Sequence, residues 1–173
     1  VQLRFYPWVV IFVSALFLFY KYVLQVSPSV MTHELIKHFH LSGAGLGNLA
    51  ATFFYSYLVA QFFVGPLLDR YSARFLTAVA ILLSAVGAMW FAFSVHLFSA
   101  SLARGLVGLG AAFATVSYMK MAALWFPPQR FAFVSGLLAT AAMLGSMAGQ
   151  LPMAWMVNYF GWHESLYQCG LVG

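Results

Sequence analysis

The chain has 173 residues, of which 64% are hydrophobic, 18% aromatic and only 6% charged. A soluble domain of this size has too much surface for its volume to hide that much apolar area, which excludes a water-soluble globular fold. The formal net charge of +5 does not gather into a patch; the basic residues stand near the ends of apolar runs, where membrane topology rather than nucleic acid explains them.

Apolar runs of this length mark membrane spans. They lack period-two alternation, so they read as helices and not as barrel strands. Span 1 is predicted over about residues 7–26, with Pro7 in the first turn, where a missing N–H costs nothing. That run is too long for the apolar core of a signal peptide and no small-residue cleavage site follows it, so no cleaved leader is expected. Residues 27–42 are polar and carry Pro28, His33, Glu34, Lys37, His38 and His40. They read as a solvated loop; His38 and His40 fit no zinc spacing, and no metal site is expected.

Span 2 is predicted over about 46–68, span 3 over 75–95, and span 4 over 98–126, stopped by Pro127-Pro128. Span 5 is predicted over about 131–159 and is ended by Gly161. The last apolar segment, 162–173, is too short to cross a ~30 Å hydrocarbon core at ~1.5 Å per residue. It is expected to be an incomplete sixth span. The single cysteine, Cys169, has no internal disulfide partner.

Successive loops alternate sides. One side holds Arg4, Arg70, Arg74 and Arg130; the other holds Lys37, with Glu34 and Glu164 nearby. Short basic loops stay in the cytoplasm, so the N-terminus and the 65–74 turn are expected there, in a multi-pass protein of the cytoplasmic (inner) membrane. Trp8 and Trp125 then fall at the inner interface, and Trp155 and Trp162 at the outer one.

The turn between spans 2 and 3 reads GPLLDRYSAR. It has about six residues outside the spans, which predicts an antiparallel hairpin. Topology accounts for Arg70 and Arg74 but not for Asp69, because acids contribute little to orientation. A carboxylate at the membrane boundary needs a partner, such as an arginine or a helix N-terminus.

Gly65-x-Leu67-x-Asp69-Arg70-x-x-x-Arg74 resembles the G-x-L-x-D-R-x-G-x-R signature between spans 2 and 3 of the major facilitator superfamily. Arg104-Gly105-x-x-Gly108-x-Gly110 resembles that family's R-G-x-x-G-x-G segment in span 4. Trp125-Phe126-Pro127-Pro128-x-Arg130 resembles its W-F-P-x-x-R at the inner end of span 4. The resemblance covers nearly the whole chain. It implies an all-α helical bundle forming one N-terminal six-helix half, residues 1–173, interrupted in the sixth span. It also implies a cytoplasmic gate built on Gly65, Asp69, Arg70 and Arg74, whose aspartate meets the second half of the transporter. Ser72 stands where the family usually has glycine, which puts the tight turn geometry in question.

Ionisable residues inside spans are costly and are functional candidates. Lys21 and Arg104 lie some way in from the outer ends of spans 1 and 4, and each could instead snorkel to the interface. Both spans line the central cavity of the superfamily fold. Two cations at similar depth repel, and an anion between them relieves the repulsion. Polar faces accompany them: Ser14, Leu18, Lys21 and Gln25 on span 1, and Arg104, Gly108, Ala111, Thr115 and Tyr118 on span 4. The substrate-binding candidates are therefore Lys21, Gln25, Tyr55, Arg104 and Tyr118, with an organic acid as the favoured substrate. Lys120 is expected to snorkel to the inner interface.

Gly43-x-x-x-Gly47, Gly145-x-x-x-Gly149 and Gly108-x-x-x-Ala112 read as helix-packing patterns. Span 5 carries Gly145, Gly149 and Pro152, but Gln150 stands where the family's antiporters have proline. No nucleophile–base pair, phosphate loop or metal cluster is present, so neither an enzyme nor a cofactor is expected. The expected function is secondary transport of a small solute by alternating access. Expected partners are that solute, the bilayer, and a C-terminal half of the same transporter or a second copy of this chain. The alternatives are a half-size protein that self-associates into a pore or symmetric carrier, and a non-transporting membrane sensor on the same scaffold.

Overall fold

The computed structural model describes residues 6–173, and Arg4 lies outside the described residues. The helices are α1 (Tyr6–Val30), α2 (Thr32–Phe39), α3 (Gly43–Arg70), α4 (Ala73–Ala92), α5 (Leu97–Trp125), α6 (Pro128–Ala148), α7 (Leu151–Phe160) and α8 (Trp162–Val172). No strand occurs among the described residues. Five segments are long and apolar enough to cross a membrane: α1, α3, α4, α5, and α6 with α7 taken together.

Three boundaries differ from the sequence reading. α1 continues through Pro28 to Val30. The stretch expected to be a solvated loop then forms α2, whose Leu35 is buried. Its His38 ring packs edge-on against Trp162 and His163, with centroids 5.1 and 5.2 Å away. Span 5 breaks at Gly149-Gln150 into α6 and α7, with Pro152 in the first turn of α7, where proline is tolerated.

The turn after α3 is also tighter than expected, with only Tyr71 and Ser72 between α3 and α4. Ser72 has φ −65° and caps α4, its side chain accepting from the Phe75 N–H at 3.4 Å. No left-handed residue is required, so serine serves where the family usually places glycine. The two helices do not remain a packed hairpin. They diverge, and each packs against α5, which lies between them and also touches α1; α6 packs on α1, and α8 on α4.

Small residues make this close packing possible. Gly108 and Gly110 are two residues, about 200°, apart around α5. A Cβ on Gly108 would meet the Phe53 carbonyl of α3, and one on Gly110 the Ala80 carbonyl of α4. Gly145 approaches the Phe19 carbonyl of α1 in the same way. Gly43 and Gly47 behave differently: nothing lies within 4 Å of where their Cβ atoms would be, so the expected packing role is not found there.

Gly110→Leu is expected to destabilise the protein by about 3 kcal/mol, the upper part of the usual overpacking range, because a backbone carbonyl cannot swing aside. Gly136 faces open space, and Gly136→Leu should leave the melting temperature in detergent unchanged or raised.

Candidate functional site

α1, α3 and α5 wall a cavity of about 540 Å³ at the end of the bundle opposite the 65–74 turn. Gln25, Ser29, Thr32, Gly47, Arg104 and Gln150 are among its lining residues. The open space beside Gly47 is therefore cavity and not a helix interface.

Arg104 is only 2% exposed. Its Nη1 donates to the Leu24 carbonyl of α1 at 2.9 Å. The guanidinium carbon lies 5.1 Å from the Phe53 ring centroid and 5.9 Å from that of Phe91. Its Nε is buried without a hydrogen-bond partner, and so is Oε1 of Gln25. A guanidinium has five N–H donors, and the described residues supply an acceptor for one.

Lys21 precedes Gln25 by one turn on the same face of α1 and is 4% exposed. Its ammonium stands 3.9 Å from the Tyr22 ring centroid and 5.2 Å from that of Tyr57. The chain has three acids in all, Glu34, Asp69 and Glu164. The one ion pair among the described residues joins Asp69 to Lys120, so neither buried cation has a carboxylate partner.

The structure thus brings Gln25 and Arg104 together, with Lys21 one turn away. Tyr55 and Tyr118 lie elsewhere. Tyr55 is 62% exposed and does not line the cavity. Tyr118 is fully buried, and its hydroxyl donates to the Val134 carbonyl of α6 at 2.7 Å. Of the rest of the α5 face read as polar, Gly108 is pressed against α3 and Ala111 is buried, while Thr115 is half-buried.

Gln150 is the residue that sequence reasoning missed as a cavity candidate. It sits at the α6–α7 break, where the ladder is irregular: its N–H reaches the Met147 carbonyl at 3.1 Å. Gly149, Gln150 and Pro152 inside one apolar run were a usable signal. Broken helices at membrane depth are tolerated where they line a cavity.

At the other end of the bundle, Asp69 pairs with Lys120 of α5 at 2.9 Å. The expected partner was an arginine or a helix N-terminus, and Lys120 was expected only to snorkel. The lysine also donates to the Leu68 carbonyl in the last turn of α3. Such carbonyls lack an intrahelical donor, and a cation there is stabilised by the negative end of the helix dipole. Asp69 remains 81% exposed, so one lysine does not exhaust its accepting capacity. Arg70 is exposed; Arg74 lies 5.2 Å from the Tyr6 ring centroid, and open space surrounds Gly65.

Comparison with known proteins agrees with this architecture. The chain is 30% identical over 152 residues to the uncharacterized transporter YybO of Bacillus subtilis, covering 88% of this chain and 35% of that protein. It is 24% identical to the probable galactarate/D-glucarate transporter GudP of the same organism, covering 96% of this chain and 38% of that one. The chain thus spans well under half the length of these relatives, which are transporters and not enzymes. In fold it is similar to a bacterial homologue of the human lysosomal transporter Spinster in an inward-facing, occupied conformation, with a TM-score of 0.84 at 16% identity, covering 98% of this chain and 42% of that one. The family model of the Major Facilitator Superfamily matches residues 8–173. With the helical bundle, the span 2–3 turn and the glycine-packed α5 in agreement, this chain belongs to the Major Facilitator Superfamily, and its helices are those of the N-terminal half of that fold.

Proposed function

We propose that this chain forms the N-terminal half of a secondary transporter that carries a small organic anion across the cytoplasmic membrane by alternating access. The observation that carries the reading is the pair of buried cations, Lys21 and Arg104, with no carboxylate to neutralise either. A buried charge without a partner is costly, and an anionic solute in the cavity supplies the missing one. Gln25 and Gln150 add uncharged hydrogen-bonding groups suited to hydroxyls. The sugar acids named for GudP combine those two features, carboxylate and hydroxyl.

The 65–74 turn faces the cytoplasm in this reading, as does the N-terminus. Asp69, Arg70 and Arg74 form this half's side of the inner gate, and the cavity opens toward the outer face. The second half of the transporter completes both. Uptake into liposomes carrying the full-length protein tests the proposal. Radiolabelled galactarate should accumulate, and excess aldonates should suppress it. Accumulation of a neutral alditol at the same rate would refute the anion assignment.

A further inference from the structure

Pro28 stands inside α1, four residues after Leu24. In an α-helix the N–H of residue i bonds the carbonyl of residue i−4. Proline has no N–H, and its ring pushes the i−4 carbonyl aside. The Leu24 carbonyl is therefore left without its backbone donor, and two side chains occupy it: Ser27 Oγ donates at 3.0 Å and Arg104 Nη1 at 2.9 Å. Pro28 and Arg104 both line the cavity, next to Gln25.

We propose that Pro28 is a positioning residue for Arg104: by withholding an N–H it creates the acceptor that parks one edge of the guanidinium and leaves the other edge free for the anion. This inference rests on the anion reading given above. That other edge carries Nε, which is covered and has no hydrogen-bond partner among the described residues, while the Arg104 side chain itself lines the cavity. Long basic side chains are rich in rotamers, and fixing one before binding saves the entropy of ordering it on binding. Pro28 lies in the last turn of α1, two residues before its end at Val30, where its missing N–H still removes one backbone bond. The Pro28 carbonyl is already taken by the Met31 N–H and the Thr32 hydroxyl, so the residue is assigned to act through Leu24 and Arg104.

The test uses the full-length transporter and four forms: wild type, Pro28→Ala, Arg104→Met and the double variant. Pro28→Ala restores the backbone donor to Leu24, so it should raise the melting temperature. Arg104→Met should cost several degrees more with Pro28 present than in the Pro28→Ala background, because the Leu24 carbonyl then relies on Ser27 alone. With galactarate as the probe, Pro28→Ala should weaken binding about threefold to tenfold while raising stability. It should leave any residual binding by Arg104→Met unchanged.

A purely structural proline would move affinity and stability in the same direction, or affinity not at all. Additive stability shifts, or an affinity loss that survives in the Arg104→Met background, would overturn the proposal. Unchanged affinity in Pro28→Ala would do so as well. Failure of Arg104→Met itself to weaken binding would instead overturn the anion reading. The two failures are separable because the stability comparison needs no ligand.

Discussion

Arg104→Ala should reduce sugar-acid binding by the full-length transporter by roughly 30- to 700-fold, about 2–4 kcal/mol, the usual cost of truncating one member of a buried charge pair. Arg104 is buried, and its unpartnered Nε belongs to a side chain lining the cavity. Arg104→Lys keeps the charge but loses the planar fork, and should fall between wild type and alanine. Lys21→Ala should weaken binding about tenfold, because the ammonium lies beside the Tyr22 and Tyr57 rings and not in the cavity lining. The protein should stay folded in each case: the two alanine variants remove a buried cation that no carboxylate neutralises, which offsets lost contacts, and Arg104→Lys keeps the charge. Isothermal titration calorimetry with detergent-solubilised protein checks all three. Unaltered affinity in Arg104→Ala would remove the residue from the site.

Asp69→Asn should lower solute uptake at least tenfold while shifting the melting temperature by only a few degrees. The two effects have different sources. Within this half, Asp69 is 81% exposed and Lys120 27%, and a pair whose carboxylate stands in solvent contributes about 0.2–1 kcal/mol. In the transport cycle proposed above, the carboxylate contacts the other half, a contact asparagine cannot make with full charge. Uptake into liposomes, measured beside thermal unfolding, separates the two. Asp69→Asn protein that transports at the wild-type rate would show that the inner turn is not a gate.

The spans were legible because apolar run length is a property of sequence alone, and a short turn with a basic flank, read as about six residues and found to be two, set the direction of α4 after α3. Where α3 and α4 go after the turn was not legible. A short connection dictates antiparallel direction but not contact, and the glycines of α5 draw each helix onto α5 instead. Gly43 and Gly47 show the same ambiguity from the other side: small residues admit a neighbour or leave a space, and the spacing is identical in both cases.

The charged part of the candidate site was legible because a cation in a span is conspicuous whatever its orientation. Tyr118 was harder. A tyrosine can satisfy its hydroxyl on a backbone carbonyl of a packed neighbour, here Val134, and nothing local in the sequence distinguishes that from facing water. Lys120 depended on a partner 51 residues away. Gln150 depended on a helix break whose proline was visible but whose exact position was not. Pro28 was read as the start of a loop; its effect on the Leu24 carbonyl emerges only once α1 continues past it.

The most direct test of the central claim compares binding of matched charged and neutral solutes. Aldarates and aldonates, and the alditols of the same carbon skeleton, would be titrated into the full-length wild-type protein by calorimetry. The account predicts saturable binding of at least one sugar acid and none of its alditol, since only a carboxylate offsets the charge of Arg104 in the cavity wall, with Lys21 one turn of α1 from Gln25. An alditol bound as tightly as the corresponding acid would contradict it.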